Sequence, residues 1–313
     1  MVSRSAFATH FDTFAVDCYA AFLEFIGTTL FLMMAYGGIQ AGAAAAEATG
    51  NTGGPSVDLL LYVALSMGFS LLFSAWIFYR ITGSLFNPNV SLALLLCGIL
   101  RPVRFVLYSI AQLLGGVAAA GIVRGLTSAP LASNTVLSSR TSSAQGVFIE
   151  MFITASLVLS ILMLAVEKHR ATPLAPIGIG LTLFTCHLFA VFYTGAAMNT
   201  ARAFGPAVIS GFQDSHWVYW VGPALGSLLA SSIYGVLKHF DYSVVNPGQD
   251  TTNSYKPPVD PIAQSNPAVH DSSVPYTSPS SVLGTKRSCQ AAPRESDDTG
   301  SIATDEKDAT NMV

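Results

Sequence analysis

The chain has 313 residues, of which 51% are hydrophobic and only 11% are charged. A soluble domain carries roughly 25% charged residues, so this composition indicates a protein that lies in a lipid bilayer. The net charge is −3 and the sequence has no large basic cluster, which argues against nucleic acid as a partner, and the four cysteines have no short spacing that would predict a metal site or a disulfide framework.

Six stretches reach the length of about 20 mostly apolar residues that a membrane-spanning helix requires. These stretches are 17–39, 57–79, 104–124, 146–167, 174–194 and 216–239. Two shorter apolar stretches, 81–94 and 193–208, lie between the second and third spans and between the fifth and sixth. Three spans and one short segment therefore occur twice, in halves 17–124 and 146–239. Because each half has an odd number of spans, the second half enters from the opposite face, and the sequence predicts an inverted repeat.

The two short segments contain Asn87 and Asn199, which are 112 residues apart. Asparagine is a strong N-cap residue, and proline is favoured at the first helical position, as at Pro88. The sequence therefore predicts half-helices over 88–96 and 200–210 that do not cross the bilayer. Short interrupted segments at corresponding places in two halves indicate a site at the membrane midplane.

In an inverted repeat the two half-helix N-termini point at each other, and each carries about half a positive charge. Two asparagine amides that donate to one water oxygen would interrupt a proton wire at that point. The positive field also repels protons and cations. This arrangement predicts a pore for neutral solutes that blocks ions.

Glu24 and Glu150 each begin an E-x-x-x-T pattern early in their half. We expect each carboxylate to brace the backbone of a neighbouring short segment, because non-helical peptide groups in a membrane need partners. The alternative is that both side chains reach out from helix ends into water. Gln112, in the third span, has either a similar bracing role or a bond between helices.

Arg202 follows Asn199 by one helical turn, and an arginine at this depth is costly unless it lines a wet cavity. A single buried histidine such as His187 is usually a packed core residue. Beside Arg202 and a pore, however, His187 fits a narrow filter in which both side chains present donors to a small polar solute.

The segments around the two asparagines resemble the two signature loops of the aquaporin (major intrinsic protein) family. They read TGSLFNPNVSLAL and TGAAMNTARAFGPAV, and IGIGLTLFTCHL and HWVYWVGP resemble the fifth and sixth helices of that family. The resemblance implies an all-α membrane protein with six transmembrane helices and two re-entrant half-helices. It further implies a homotetramer with one pore per subunit, and passive transport without a cofactor.

The resemblance places the filter at Met67, His187, Ala196 and Arg202, and histidine with arginine is similar to the water-selective branch. The pore motifs are variants of the usual Asn-Pro-Ala: the first has Asn89 after Asn87 and Pro88, and the second has Thr200 and Ala201 after Asn199. Met67 stands where water channels usually have phenylalanine, and because methionine is flexible, hydrogen peroxide is a second expected solute beside water.

We therefore expect a passive water channel. One alternative is a facilitator for glycerol or similar solutes, and another is a non-conducting adhesion or scaffold protein. An enzyme is not expected, because the spans contain no set of catalytic side chains.

The excess of lysine and arginine in the second and fourth connections places both termini in the cytoplasm. The plasma membrane is the expected location. Residues 1–16 form a short N-terminal segment, and the stretch 41–56 is expected to be a flexible loop. The Ser- and Pro-rich residues 240–313 have the composition of a disordered tail.

Overall fold

A computed structural model of the chain describes residues 4–50 and 56–246, with side chains described from residue 13 onward. Six helices in this part are long and apolar enough to cross a membrane, and two shorter helices lie among them. The helices are α1 (Arg4–Ala48), α2 (Val57–Phe78), α3 (Pro88–Leu96), α4 (Pro102–Leu126), α5 (Ser143–Ile161), α6 (Ala175–Thr194), α7 (Thr200–Ser210) and α8 (Val218–His239).

The two half-helices, α3 and α7, begin and end at the residues that the sequence predicted. Asn87 and Asn199 are their N-caps, both in extended backbone conformation, and each side-chain oxygen accepts an amide N–H of the first helical turn. Pro88 takes the first position of α3, where its missing N–H removes no helical bond. The bounds are predictable because cap chemistry is local.

Helix packing repeats between the two halves. Helix α1 packs against α2 and α4, and the corresponding α5 packs against α6 and α8. Each half-helix packs against the last long helix of the opposite half, α7 against α4 and α3 against α8, while α2 and α6 contact each other. Every major contact therefore has its mate, as an inverted repeat requires.

Glycines allow the closest of these approaches. A Cβ atom on Gly116 or Gly205 would meet the backbone of the other helix of the α4–α7 pair at less than 3.0 Å. A Cβ atom on Gly222 or Gly226 of α8 would also meet the backbone of α5 at less than 3.0 Å. Small residues at such positions let helices pack tightly without a hydrophobic driving force between them.

Two parts of the chain differ from the prediction, helix α1 and the end of the fourth span. Helix α1 begins at Arg4, within the predicted N-terminal segment 1–16, and continues to Ala48, so the expected loop is helical over 41–48. This stretch is rich in alanine, the strongest helix former, and its small side chains were misread as a flexible loop. The other difference is a π-helical turn, Leu162–Val166, at the end of the fourth span. Residues 247–313, which hold most of the predicted tail, lie outside the described residues.

Candidate functional site: the meeting point of two half-helices

The N-termini of α3 and α7 meet in the interior through a pair of matching hydrogen bonds. Asn87 Nδ2 donates to the carbonyl of Met198 at 2.8 Å, and Asn199 Nδ2 donates to the carbonyl of Phe86 at 2.8 Å. Each amide group has two N–H donors. One donor of each asparagine therefore joins the two halves, and this bond leaves the second donor of each amide unused.

The segment before each asparagine has an unusual backbone. In these two segments four residues other than glycine have φ between 49° and 58°: Ser84, Phe86, Ala196 and Met198. Such left-handed conformations cost about 1–3 kcal/mol each and persist only where the surroundings hold them. The two halves share the pattern residue for residue, at the offset of 112 that separates the two asparagines.

Glu24 holds the first of these segments. Its Oε1 accepts the Leu85 amide at 3.2 Å and the Thr82 hydroxyl at 2.5 Å, and its Oε2 accepts the Phe86 amide at 2.8 Å. Gln112 Nε2 also donates to Oε2, at 2.9 Å. Because the carboxylate is fully buried, these donors replace the water that it has lost.

Glu150 holds the second segment in the same way. Its Oε1 accepts the Thr194 hydroxyl at 2.6 Å and the Ala197 amide at 3.0 Å, and its Oε2 accepts the Met198 amide at 2.8 Å. Both glutamates thus contact the backbone of a short segment, and neither lies at a wet helix end. Thr82 and Thr194 are 112 residues apart in the sequence, like the two asparagines. The sequence did not indicate that their hydroxyls donate to the two glutamates.

Arg202 lies at the third position of α7 and is only 3% exposed. Its guanidinium donates to the carbonyl of Ser133 at 2.8 Å and to the carbonyl of Gly195 at 3.2 Å. Tyr36 donates its hydroxyl to the Arg202 carbonyl at 2.8 Å. These contacts fix the arginine from the connection between the halves and from α1, and no sequence pattern pointed to Ser133 or Tyr36.

His187 is fully buried in α6, and its Nδ1 lies 2.9 Å from the carbonyl oxygen of Leu183. Because a carbonyl only accepts, Nδ1 carries the hydrogen, and in the neutral ring Nε2 is an acceptor. Within the described residues, His187 Nε2 and Arg202 Nε have no hydrogen-bond partner. This differs from the expectation of donors on both side chains, since a neutral His187 offers an acceptor and Arg202 offers donors.

A cavity of about 340 Å³ lies against the meeting point. Its lining includes Asn87, Asn199 and Arg202, and it extends past Met67 to Lys168. Of the four predicted filter residues, Met67 and Arg202 line this cavity. His187 and Ala196 are buried beyond its lining.

The remaining motif residues take separate positions. Ala201 donates its amide to Asn199 Oδ1 at 2.9 Å. Asn89 Nδ2 donates to the Thr200 hydroxyl oxygen at 2.8 Å, which gives Asn89 the partner that the sequence did not identify. Neither Asn89 nor Thr200 lines the cavity. Among the described residues, no cluster of histidine, cysteine, aspartate or glutamate has the geometry of a metal site.

Comparison with known proteins gives a consistent family assignment. The family described as major intrinsic protein matches residues 13–234. Aquaporin-1 of Laccaria bicolor is 63% identical over 257 residues, which cover 82% of this chain and 83% of that protein. Aquaporin-2 of Botryotinia fuckeliana is 48% identical, over 76% of this chain and 64% of that protein.

A solved structure, that of the aquaglyceroporin from Plasmodium falciparum, has the same fold. It superimposes with a TM-score of 0.58 over 70% of this chain and 98% of that chain. The sequence identity is 23%, so this likeness bears on the fold alone.

Proposed function

The chain belongs to the major intrinsic protein family, and on this premise we propose that it is a passive channel that conducts water and excludes ions and protons. One observation carries the proposal. Asn87 and Asn199 cap two half-helices that meet head to head, and each leaves one amide N–H for a solute in the adjoining cavity.

The electrostatics of this point favour a neutral solute. Each half-helix N-terminus contributes about half a positive charge, and Arg202 adds a full charge one turn into α7. Among the described residues no carboxylate lines the cavity, since Glu24 and Glu150 lie behind its wall with their oxygens turned to backbone amides. A cation or hydronium ion entering the cavity would therefore meet a repulsive field near Asn87, Asn199 and Arg202. A water molecule would present its oxygen to the amide donors, with its hydrogens pointing away along the cavity.

The polar side chains of His187, beyond the cavity, and of Arg202, in its lining, favour water over larger polyols. His187 and Arg202 have bulky polar groups, and each has one ring or guanidinium nitrogen without a partner among the described residues. A water molecule can donate a hydrogen bond to the histidine nitrogen and accept one from the arginine at the same time. We therefore assign Met67, His187, Ala196 and Arg202 to the selectivity filter.

Hydrogen peroxide is the second candidate solute, and Met67 supports it. This side chain lines the cavity, at the position where water channels usually have a phenylalanine ring. A methionine side chain is flexible and can move aside, so the opening can adapt to a molecule slightly longer than water. Peroxide resembles water in hydrogen bonding, with two donors and acceptors on both oxygens.

Stopped-flow permeability on one vesicle preparation tests these assignments. We expect water flux well above that of empty vesicles, measurable peroxide flux and little glycerol flux. His187→Gly should raise glycerol flux markedly, whereas His239→Gly, at the far end of α8, should leave it unchanged. Wild-type glycerol flux that His187→Gly raises only slightly would favour a glycerol facilitator. Absence of flux for every solute would favour an adhesion or scaffold protein.

Assembly and orientation complete the proposal. We propose a homotetramer with one pore in each subunit, located in the plasma membrane with both termini in the cytoplasm. The basic residues at one end of the bundle support this orientation: Arg101 and Arg104 both pair with Asp17, and Lys238 pairs with Glu167. Mass measurement in detergent and protease access to tags at the two termini test these points.

A further inference from the structure

Asn89 and Thr200 are the two residues at which the pore motifs depart from the usual Asn-Pro-Ala pattern, and they contact each other. The Asn89 amide donates to the Thr200 hydroxyl oxygen at 2.8 Å, across an interval of 111 residues. Both residues are almost fully buried, at 4% and 3% exposure. The two departures are therefore one structural feature, because Asn89 supplies the hydrogen-bond donor and Thr200 supplies its acceptor.

The contact continues into helix α8. The Thr200 hydroxyl donates to the Tyr219 carbonyl at 3.1 Å, and the Ser227 hydroxyl donates to the Asn89 carbonyl at 2.7 Å. Asn89, Thr200 and α8 thus form a short chain of hydrogen bonds on the side of the half-helices that faces α8. The cavity lies elsewhere, since Asn87 and Asn199 line it and Asn89 and Thr200 do not.

This contact breaks the symmetry of the two halves. The bonds made by Asn87 and Asn199 are mates under the repeat, since each donates to the carbonyl that precedes the other asparagine. The repeat mate of Asn89 is Ala201, and that of Thr200 is Pro88. Neither mate has a polar side-chain atom, so the second half cannot form a matching bond.

We propose that Asn89 and Thr200 are a positioning pair that fixes the rotation of α7 against α3, and that this rotation sets the solute discrimination of the pore. The symmetric asparagine bonds hold the two N-termini together at one place. The bond between Asn89 and Thr200 lies away from that place, so it resists rotation of α7 about it. Because α7 carries both Asn199 and Arg202, its rotation would move the amide donor and the filter arginine together.

The proposal rests on the proposed channel function for its transport readout but not for its structural one. The variants are Asn89→Ala, Thr200→Val, the double variant, and Thr200→Ser as the conservative control. Thermal unfolding midpoints in detergent test the pairing without transport. The ratio of glycerol to water permeability, measured on the same vesicles, does not depend on how many channels are folded.

Thr200→Val should lower the midpoint most, because it leaves the buried Asn89 amide without its acceptor. Asn89→Ala should lower the midpoint less, because Thr200 keeps its bond to the Tyr219 carbonyl. Adding Asn89→Ala to Thr200→Val should then raise the midpoint again, because the unpaired amide is gone. Thr200→Ser keeps the hydroxyl and should resemble the wild type in both measurements.

The permeability ratio should follow a different order. It should rise several-fold in both single variants and stay raised in the double variant, because the bond is missing in all three. The proposal would be overturned if the double variant lowered the unfolding midpoint by the sum of the two single effects. It would also be overturned if the ratio of glycerol to water permeability stayed unchanged in variants that still conduct water. If the wild type conducts no water, the proposed channel function fails, and the midpoints still decide whether the two residues act as a pair.

Discussion

Replacing Gly116 by alanine would push a methyl group into the backbone of the half-helix α7. Gly116 lies in the middle of α4, and a Cβ atom at this position would approach the carbonyl oxygen of Ala201 at less than 3.0 Å, a separation that real Cβ atoms almost never show. The obstacle is backbone and cannot rotate away. The two helices would therefore have to separate by about half an ångström or more.

Gly121→Ala is the matched control, because Gly121 lies in the same helix and its Cβ would meet nothing within 4 Å. Alanine in place of glycine favours a helix by about 0.5–1 kcal/mol at either position, so this term cancels between the two variants. The remaining difference is the cost of overpacking, typically about 1–3 kcal/mol. For a folded unit of about 150–250 residues, each kcal/mol corresponds to about 2–4 °C in the unfolding midpoint.

The assay is thermal unfolding in detergent, followed by water permeability in vesicles. We expect the unfolding midpoint of Gly116→Ala to lie about 2–12 °C below that of Gly121→Ala, because about 1–3 kcal/mol of overpacking corresponds to about 2–4 °C per kcal/mol. Water permeability should fall only in Gly116→Ala, because the Ala201 carbonyl lies between Asn199 and Arg202 on α7. Equal midpoints and equal permeability in the two variants would refute the close contact between α4 and α7.

Three further predictions concern local contacts. The Tyr234 hydroxyl donates to Glu167 and lowers the pKa of that carboxyl group. The stabilisation is therefore complete above the pKa of Glu167 in the unfolded chain, and it is lost as the pH falls through the lower pKa of the folded state. Between about pH 7 and about pH 3, the unfolding midpoint should fall more in the wild type than in Glu167→Gln. Ser142→Ala removes the capping box of α5 and should cost about 1 kcal/mol by denaturant titration, whereas Ser143→Ala, one residue later, should cost little. Glu150→Gln should cost about 1–3 kcal/mol in the same titration, since its amide cannot accept all the donors that now face the carboxylate, and an unchanged midpoint would contradict the bracing role.

Local chemistry accounts for what could be predicted along the chain. The half-helices were correct at both ends because an asparagine cap and the residues of the first turn interact within a few positions. The error at 41–48 was also local, since a run of alanines was read as a loop although alanine favours a helix. The π-helical turn Leu162–Val166 had no recognisable signal, because its apolar residues fit an α-helix equally well.

The contacts of single polar residues were harder to predict. Asn89 is a buried amide in a short helix, and its donor could face any of several helices. Arg202 is held by the Ser133 carbonyl 69 residues earlier and by Tyr36 166 residues earlier. Backbone carbonyls are present at every position of a sequence, so nothing marks the one that will accept a bond.

The sequence by itself determined the spans, the repeat and the two capped half-helices, because apolar length and capping act between neighbours in the chain. Only the tertiary structure decided which nitrogen of His187 carries its hydrogen, how Arg202 is held and that Asn89 pairs with Thr200. These outcomes depend on groups from distant segments that come within about 3 Å of each other, and such distances exist only once the helices have packed.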